Sequence, residues 1–344
     1  MKIGNRAAAL QCHADGAIGM RRREIMLATA MAAATGWSAV AQEVPKRARI
    51  GLMTAGTAFP RRYFDEAMAR LGWIEGRNLT VDWRITGADP EARAQAAREL
   101  VAARLDAIVA GGIAEARPLR AVSDTVPIVV IAGADLIQSG LAQSLARPGG
   151  NVTGVTVIQQ ELDGKRLQLL HELLPSARRI AIMLASGAPA LHERLAAAAA
   201  LVRSFGVALV PRPVNTGSGL AEIDAALAAS EREKDDAIFV QLNPVVSENR
   251  RHVIDVLAGM RLPTIYELRE FVVDGGLLCY GPIIRDNFER AAALTDKILR
   301  GARPADLPVE QPTRFELVVN LNTANALGLT IPPLLLGRTN EIIE

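Results

Sequence analysis

Residues 107–131 read AIVAGGIAEARPLRAVSDTVPIVVI, and this stretch contains the pattern that decides the fold. A short apolar run (107–110) is followed by a glycine pair, an alanine-rich segment with helical spacing (114–123) and a second apolar run (127–131). Strands without a polar face are typical of parallel sheets that helices cover on both faces. The stretch therefore predicts one strand–helix–strand unit of an α/β protein.

The same alternation of apolar strands and helices continues on both sides of this stretch. In the first half, strands are also predicted at 49–53 and 79–83, and helices at 63–71 and 91–104. The second half repeats the architecture without repeating the sequence. Its predicted strands are 179–184, 207–211, 237–242 and 263–266, and its predicted helices are 162–173, 189–205, 220–229 and 247–259. We therefore predict two doubly wound parallel-sheet lobes.

Three segments are expected to connect the lobes. RPGGNVTGVTV (147–157) combines a glycine turn with a β-rich run, which is typical of a strand that leaves a domain. After GGLLCYGP (275–282), a predicted helix (285–299) and the proline-rich ARPADLPVEQP (302–312) precede the strand FELVVN (315–320). We predict a first lobe of 47–156 plus 279–312 and a second lobe of 157–278 plus 313–344. A hinge of three crossings favours closure of the lobes around a ligand in the cleft between them.

The N-terminal segment predicts export. MRRREIMLATAMAAATGWSAVAQEV (20–44) begins with arginines, continues with an uncharged apolar run and reaches the small-x-small pattern Ala39-Val40-Ala41. The apolar run is shorter than the roughly 20 residues that a bilayer-spanning helix needs, which favours a cleaved signal peptide. We predict a signal peptide with an extended n-region over 1–41, a mature N-terminus at Gln42 and a periplasmic location. An uncleaved anchor or a buried helix is the alternative.

Removal of this segment changes the charge balance. The full chain has 39 Lys and Arg against 37 Asp and Glu. The first 41 residues hold five of these bases and two of these acids, which leaves 34 bases, 35 acids and a net charge of −1. Such a chain lacks the electrostatic footprint of a nucleic-acid-binding protein, so we expect no nucleic acid as a partner. Cys279 is the one cysteine that remains, so no intramolecular disulfide is expected.

Candidate ligand-binding residues lie at the C-terminal ends of the predicted strands, where open α/β sheets bind ligands. Small residues there let a ligand approach the backbone, and N–H groups at the starts of the following helices can hold a carboxylate. Asp135 has two interpretations, because it can face a ligand ammonium group or cap a helix. Tyr280 can contribute a ring and a hydroxyl or be only a core or hinge residue. The predicted ligand-binding set is Thr54, Ala55, Gly56, Gly112, Ile113, Asp135, Asn243, Tyr266 and Tyr280.

Catalytic and cofactor motifs are missing from the sequence. No GxSxG elbow, Walker loop or GxGxxG after a strand occurs. The histidines at 171, 192 and 252 fall inside predicted helices, away from the strand ends and without zinc-site spacing. We therefore predict no catalytic residue, no metal site and no cofactor. A secreted hydrolase is disfavoured because it would need a nucleophile paired with a base.

Four longer segments carry a resemblance to a known family. They are ARPGGNVTGVT (146–156), KRLQLLHELLP (165–175), LPTIYELREFVVDGGLLCYGP (262–282) and DKILRGARPADLPVEQPTRFELVVNLNTANALGLTIPPLLL (296–336). Together they resemble the ABC transporter substrate-binding protein family that includes tryptophan-binding members, over residues 49–344. The resemblance implies the type I periplasmic binding protein fold. It also implies capture of a small molecule and its delivery to an ABC permease in the inner membrane.

Three motifs depart from the pattern of that family. The Gly-Asp-Pro that often follows the fourth strand is replaced by Ala-Asp-Leu at 134–136, and the Asp-Pro of the second lobe by Asn243-Pro244. The usual Tyr-Gly-Pro-Asn ends in Ile283. Because the cleft has fewer aromatic and acidic groups, an aliphatic amino acid or another small carboxylate is at least as well supported as tryptophan.

We expect a monomer that binds such a small-molecule ligand for an ABC importer. The alternative is a periplasmic ligand-binding module for a membrane sensor, which would use the same cleft with a different partner. A transcription factor of the same fold is disfavoured, because a signal peptide stands where its DNA-binding head would be.

Overall fold

The computed structural model describes residues 47–56, 60–87, 89–133, 135–157, 159–186, 191–215 and 219–344. The predicted signal peptide (1–41) lies outside the described residues. Arg47–Glu344 forms one compact unit in which strands and helices alternate. The first elements are β1 (Ala48–Thr54), α1 (Arg61–Arg70), β2 (Leu79–Ile85), α2 (Pro90–Ala102), β3 (Ala107–Ala110), α3 (Ile113–Val122), β4 (Ile128–Gly133) and β5 (Val152–Thr156).

The second half continues the alternation. Its first elements are α4 (Gln159–Leu173), β6 (Arg179–Ala185), α5 (Leu191–Ser204), β7 (Ala208–Val214), α6 (Leu220–Arg232), β8 (Ala237–Val240), α7 (Pro244–Glu248), α8 (Arg250–Gly259), β9 (Thr264–Tyr266), α9 (Arg269–Val273) and β10 (Leu278–Pro282). The remaining elements are α10 (Ile284–Leu299), a 3₁₀ turn (Pro304–Asp306), β11 (Phe315–Asn320), α11 (Leu321–Leu327), α12 (Pro333–Leu336) and β12 (Glu341–Ile343).

Two sheets organise two lobes. The first has the order β2-β1-β3-β4-β5 with all strands parallel, and the second has the order β12-β11-β10-β9-β8-β6-β7. Helices α1 and α10 cover one face of the first sheet, and α2 and α3 cover the other. In the second lobe, α4 and α5 lie opposite α6 and α8. The predicted fold class, two doubly wound α/β lobes, is confirmed.

Two strands of the second sheet, β11 and β12, run against the other five, which the sequence did not predict. Strand β10 leads directly into a crossing to the first lobe, whereas β11 begins where the chain returns. The two must therefore run in opposite directions, and Tyr280 pairs with Leu317 in antiparallel register. Strand β12 is parallel to β11.

The three crossings lie side by side. Thr156 N–H donates to the Glu310 carbonyl (2.9 Å), and Glu310 N–H donates to the Gly154 carbonyl (2.8 Å). Ile283 N–H donates to the Arg314 carbonyl (3.3 Å). Because β5 and β10 both end at crossings, the C-terminal ends of the strands parallel to them lie on the hinge side of each lobe. We call these the cleft ends of the two sheets.

The boundary of the first lobe at residue 279 differs from the prediction. Strand β10 pairs with β9 and β11, so Cys279–Pro282 belongs to the second sheet. The chain enters the first lobe with α10, whose Phe288 packs in the core of that lobe. The prediction failed because a short apolar strand is compatible with either sheet until its pairing partners are known.

The strands that lead into two of the crossings approach their neighbours closely. A Cβ atom on Gly154 in β5 would lie 2.3 Å from the Val130 carbonyl oxygen. A Cβ atom on Gly281 in β10 would lie 1.9 Å from the Glu267 carbonyl oxygen. Only glycine fits at these positions, so both cleft ends are held by backbone contacts that tolerate no side chain.

The predicted helix 247–259 is two helices. Asn243 caps α7 by accepting the Val246 N–H (3.0 Å), and Pro244 occupies the first helical position. Asn249 then separates α7 from α8 with a non-helical backbone. The break places the five residues of α7 at the cleft end of β8, where they contribute to the candidate site.

Candidate functional site

Each sheet has one point at which the strand order reverses. In the first lobe it lies between β1 and β3, and in the second between β6 and β8. The helices that follow each pair of strands lie on opposite faces of the sheet, so the loops diverge and leave a crevice. Residues 54–56 and 111–113 border the first crevice, and residues 185–186 and 241–243 border the second. Six of the nine predicted ligand-binding residues lie at these reversal points: Thr54, Ala55, Gly56, Gly112, Ile113 and Asn243.

Thr54 fixes the loop after β1. Its side chain is fully buried, and its hydroxyl accepts a hydrogen bond from the Trp83 indole N–H (3.0 Å) and donates to the Gly56 carbonyl (3.4 Å). The guanidinium of Arg61 lies 5.2 Å from the Trp83 ring centroid. Trp83 and Arg61 were not in the predicted set, because nothing local in the sequence links residue 54 to residue 83. The hydroxyl of Thr54 therefore already makes hydrogen bonds within the protein.

The loop after β3 leads into α3 through Gly112, which has an extended backbone and no side chain. Ile113 packs against the core of the first lobe. Behind this loop, the Glu115 carboxylate is buried 3.7 Å from the Arg93 guanidinium. Burial raises the pKa of Glu115, and the nearby Arg93 charge lowers it by less. Gly112 can therefore offer backbone to a ligand from a loop held by a buried ion pair.

Asp135 caps a turn at the cleft end of β4. One carboxylate oxygen, Oδ1, accepts hydrogen bonds from the N–H groups of Ile137 (2.8 Å) and Gln138 (3.1 Å). The residue is half-buried. Capping was the alternative to ligand binding that the sequence allowed for Asp135. It engages one of the two carboxylate oxygens.

Asn243 is buried and only partly satisfied. It is 6% exposed, and its Oδ1 accepts the Val246 N–H at the start of α7. Its Nδ2 is buried and has no hydrogen-bond partner among the residues that the structure describes. Buried amide groups in proteins are nearly always paired, so an unpaired donor at the cleft end of β8 indicates a position where a ligand acceptor would fit.

The two predicted tyrosines lie in different surroundings. Tyr266 is 1% exposed, stacks on Phe271 with ring centroids 4.8 Å apart, and belongs to the core of the second lobe. Burial raises its pKa. The ring also borders a surface hollow of about 290 Å³ beside α8 and α11. This position in the core does not support the prediction of Tyr266 as a ligand contact.

Tyr280 lies in β10, next to the second crossing. Its ring is half-buried and stacks on Phe315 at 6.1 Å. Its carbonyl accepts a hydrogen bond from the Arg166 Nε (2.7 Å). Both contacts fit the hinge position that the sequence left open for this residue.

A buried ionic network supports the cleft ends of the second-lobe strands. Arg166 on α4 is fully buried and pairs with Asp163 (3.0 Å) and with Glu267 after β9 (3.4 Å). Asp163 also accepts hydrogen bonds from Arg194 and from Gln241 after β8. Burial raises the pKa of Glu267 against the opposing effect of Arg166. The Asp163/Arg166 spacing on one helix is a possible sequence signal, but its partners come from distant strands.

The two lobes approach each other between Gly56 and Glu248. A Cβ atom on Gly56 would lie 2.8 Å from the Glu248 Oε1 and 3.5 Å from its Cγ. Gly56 follows β1 in the first lobe, and Glu248 ends α7 in the second. The crevices at the two reversal points are therefore neighbours. Glu248 was not predicted, because this contact joins residues almost 200 positions apart.

Within the described residues, no group of three or more His, Cys, Asp and Glu side chains is placed to hold a metal ion. No helix in the same part of the chain combines the length and apolar character needed to cross a membrane.

Comparisons with known proteins agree with this architecture. The family model described as "ABC transporter substrate binding protein" matches residues 59–343. A tyrosine-binding protein of Clostridioides difficile (strain R20291) is 24% identical over 269 residues, which cover 78% of this chain and 76% of that protein.

Two solved structures show the same fold at low sequence identity. A conserved domain protein from Vibrio cholerae superimposes with a TM-score of 0.80 at 24% identity, covering 86% of this chain and all of that one. An ABC domain from Streptococcus pneumonia in complex with L-Trp gives 0.78 at 23% identity, covering 87% of this chain and all of that one.

Proposed function

The chain belongs to the ABC transporter substrate binding protein family, and from this premise we propose that it captures a small amino-acid-like or carboxylate ligand in its interlobe cleft. The ligand is then delivered to an ABC permease in the inner membrane. The protein acts in the periplasm as a monomer after loss of residues 1–41. Members of this family bind substrates and are not enzymes, and no catalytic role is assigned to any residue here.

The observation that carries this proposal is the pairing of two crevices across a three-crossing hinge. Ligands of open α/β sheets bind where the strand order reverses, and each lobe has one such point at its cleft end. The Gly56–Glu248 contact brings these two points together. A ligand held there contacts both lobes, so it stabilises the closed arrangement over the open one.

The proposed site consists of backbone in the first lobe and side chains in the second. Thr54, Ala55, Gly56, Gly112 and Ile113 border the first-lobe crevice, with Asp135 at its edge toward the hinge. Asn243 contributes its buried Nδ2 from the second lobe, and Tyr280 borders the hinge. Tyr266 has no part in the site because its ring is in the core.

Two relatives support an amino acid as the ligand class. One is named a tyrosine-binding protein, and another is a structure in complex with L-Trp. Aromatic side chains are few among the described residues that border the crevices, which favours a smaller or aliphatic amino acid for this chain.

The binding function is tested with purified protein beginning at Gln42. Mass spectrometry of the small molecules released on denaturation identifies a co-purified ligand, and thermal melts with the twenty L-amino acids identify others. A ligand that binds only the folded state at 100 times its Kd adds about 2.7 kcal/mol of stability, which raises the melting temperature by a few degrees. If no small molecule is released and no amino acid raises the melting temperature, the binding function is refuted.

Export is tested separately. Mature protein isolated from the periplasm is expected to begin at or near Gln42. Soluble protein that retains Met1 or Met20 at its N-terminus would overturn the periplasmic assignment.

A further inference from the structure

Helix α7 carries polar side chains at both of its ends. Asn243 precedes it and Glu248 ends it. The helix follows β8, one of the two strands at which the second sheet reverses its order. Its five residues thus lie between the second-lobe crevice and the loop of the first lobe that contains Gly56.

Among the described residues, the Glu248 carboxylate has no partner. The residue is exposed, and it makes no ion pair or hydrogen bond with any residue that the structure describes. The neighbouring Arg250 is already paired with Asp274 at 2.6 Å. Asp135, the other acid at the cleft, instead uses Oδ1 to accept two backbone N–H groups. Glu248 is therefore the more available acceptor for a cation in the cleft.

Asn243 supplies the complementary group. Its Oδ1 is engaged by the Val246 N–H, which fixes the orientation of the amide and leaves Nδ2 as a buried donor without a partner. A donor of this kind is stabilised by a ligand oxygen, and a carboxylate oxygen is a strong acceptor. The two ends of α7 thus offer one donor and one anionic acceptor.

We propose that Asn243 and Glu248 bind the carboxylate and the ammonium group of an α-amino acid, so that α7 selects the zwitterionic head group. This inference rests on the proposed function and assigns chemistry to the same cleft. The side chains carry the recognition, and the loop containing Gly56 covers the ligand from the first lobe.

The test uses variants that preserve the local structure. Glu248→Gln keeps the shape of the side chain and removes its charge. Asn243→Asp keeps an oxygen that can cap α7 and replaces the unpaired donor by an acceptor that repels a carboxylate. Glu193→Gln, an exposed acid on α5, is the matched control. Asp135→Asn tests the rival assignment of the ammonium group to the first lobe.

The probes are the twenty L-amino acids and, for the one with the largest melting shift, its N-acetyl and amide derivatives, measured by calorimetric titration. Glu248→Gln is expected to weaken binding of the amino acid about tenfold, because an exposed ion pair is partly screened. Asn243→Asp is expected to weaken it by more than that. Glu193→Gln is expected to leave affinity unchanged.

Binding of the two derivatives distinguishes direct recognition from a structural role, because a structural change would not alter the preference for the free amino acid over one derivative. The N-acetyl derivative lacks the ammonium group, so Glu248→Gln is expected to lose most of the preference for the free amino acid over this derivative. Asn243→Asp is expected to lose most of the preference over the amide. Unchanged preferences, or a larger loss in Asp135→Asn than in Glu248→Gln, would overturn the assignment.

Failure of this assignment can be separated from failure of the proposed function. If the protein binds a small molecule without an ammonium group, such as a dicarboxylate, the head-group assignment is wrong and the binding function stands. If no small molecule co-purifies and none of the twenty amino acids binds, both proposals fail.

Discussion

The two lobes, which form the two walls of the cleft, differ in how far their polar side chains are already hydrogen-bonded. In the first lobe, the Thr54 hydroxyl is engaged with Trp83, and one oxygen of Asp135 is engaged by its own turn. In the second lobe, the Nδ2 of Asn243 is buried without a hydrogen-bond partner in the described part of the chain. Glu248 lies against Gly56 with no hydrogen bond or ion pair to any described residue.

This contrast suggests different roles for the two lobes in binding a ligand. On the first-lobe wall the Thr54 hydroxyl and one oxygen of Asp135 are already engaged, so this wall offers a ligand mainly backbone at small residues such as Gly56 and Gly112. The second-lobe wall has unused hydrogen-bonding capacity and is supported from behind by the Arg166 network. This difference supports the proposal that the second lobe recognises the polar groups of the ligand and that the first lobe covers it.

The largest expected effect concerns the support behind the second wall. Arg166→Met leaves Asp163 and Glu267 buried without their shared partner, and breaking a buried ion pair typically costs about 3–5 kcal/mol. Chemical denaturation is expected to show a loss of this size. The matched first-lobe variant, Arg61→Met, is expected to cost only about 0–1 kcal/mol for its ion pairs, because their acidic partners Asp65 and Glu75 are exposed. Equal losses would remove the distinction between the two walls.

The second prediction compares one glycine from each wall. Gly281→Ala places a Cβ atom 1.9 Å from a backbone oxygen, so the strand must shift. This shift is expected to lower the free energy of unfolding by about 1–3 kcal/mol. Gly56→Ala meets only the end of the Glu248 side chain, which can move, so its stability is expected to change by less than about 0.5 kcal/mol. Thermal and chemical melts of both variants measure the difference. A larger loss for Gly56→Ala would contradict the described contacts.

The fold could be predicted from the sequence to a greater depth than the site. Strand β3 occupies 107–110 and β11 occupies 315–320 as predicted, because continuous apolar runs identify buried strands without further information. No local pattern predicts the reversed direction of β11, because it depends on where the chain returns from the other lobe. Strand β10 was assigned to the wrong lobe for the same reason.

The structure agrees with the predicted positions where topology alone decides them. Gly56, Gly112 and Asn243 lie at the cleft ends because residues after parallel strands must lie at one edge of a sheet, and their contact with a ligand stays a prediction. Tyr266 lies in the core instead, because the end of a three-residue strand does not reveal which way the last side chain points. Glu248 and Arg166 were missed, since their contacts join residues about 100 or more positions apart.

The third prediction tests the core assignment of Tyr266. Tyr266→Phe retains the stacking on Phe271 and removes the buried hydroxyl, so stability is expected to change by about 1 kcal/mol or less. Affinity for the amino acid is expected to be unchanged, because the ring does not face the cleft. Calorimetric titration and a thermal melt of the variant give both values. A tenfold loss of affinity at unchanged stability would return Tyr266 to the site.

The smallest expected effect concerns the buried acid behind the first wall. Burial raises the pKa of Glu115 in the folded state, so its contribution to stability is full below its ordinary value of 4.5 and is lost as pH rises through the raised pKa. Glu115→Gln is therefore expected to be more stable than the wild type at pH 7 and similar to it near pH 4. Melting temperatures across this range measure the difference. A variant that is less stable at pH 7 would mean that the pair with Arg93 outweighs the cost of burial.

The central claim is that the ligand is bound between the two lobes, with its polar groups held by the second. A crystal structure of the chain from Gln42, grown with the L-amino acid that gives the largest melting shift, tests it most directly. The expected result is density for that amino acid between Gly56 and α7, with its carboxylate within hydrogen-bond distance of the Asn243 Nδ2. Density in the hollow beside Tyr266, or in the cleft with polar contacts to the first lobe alone, would contradict it.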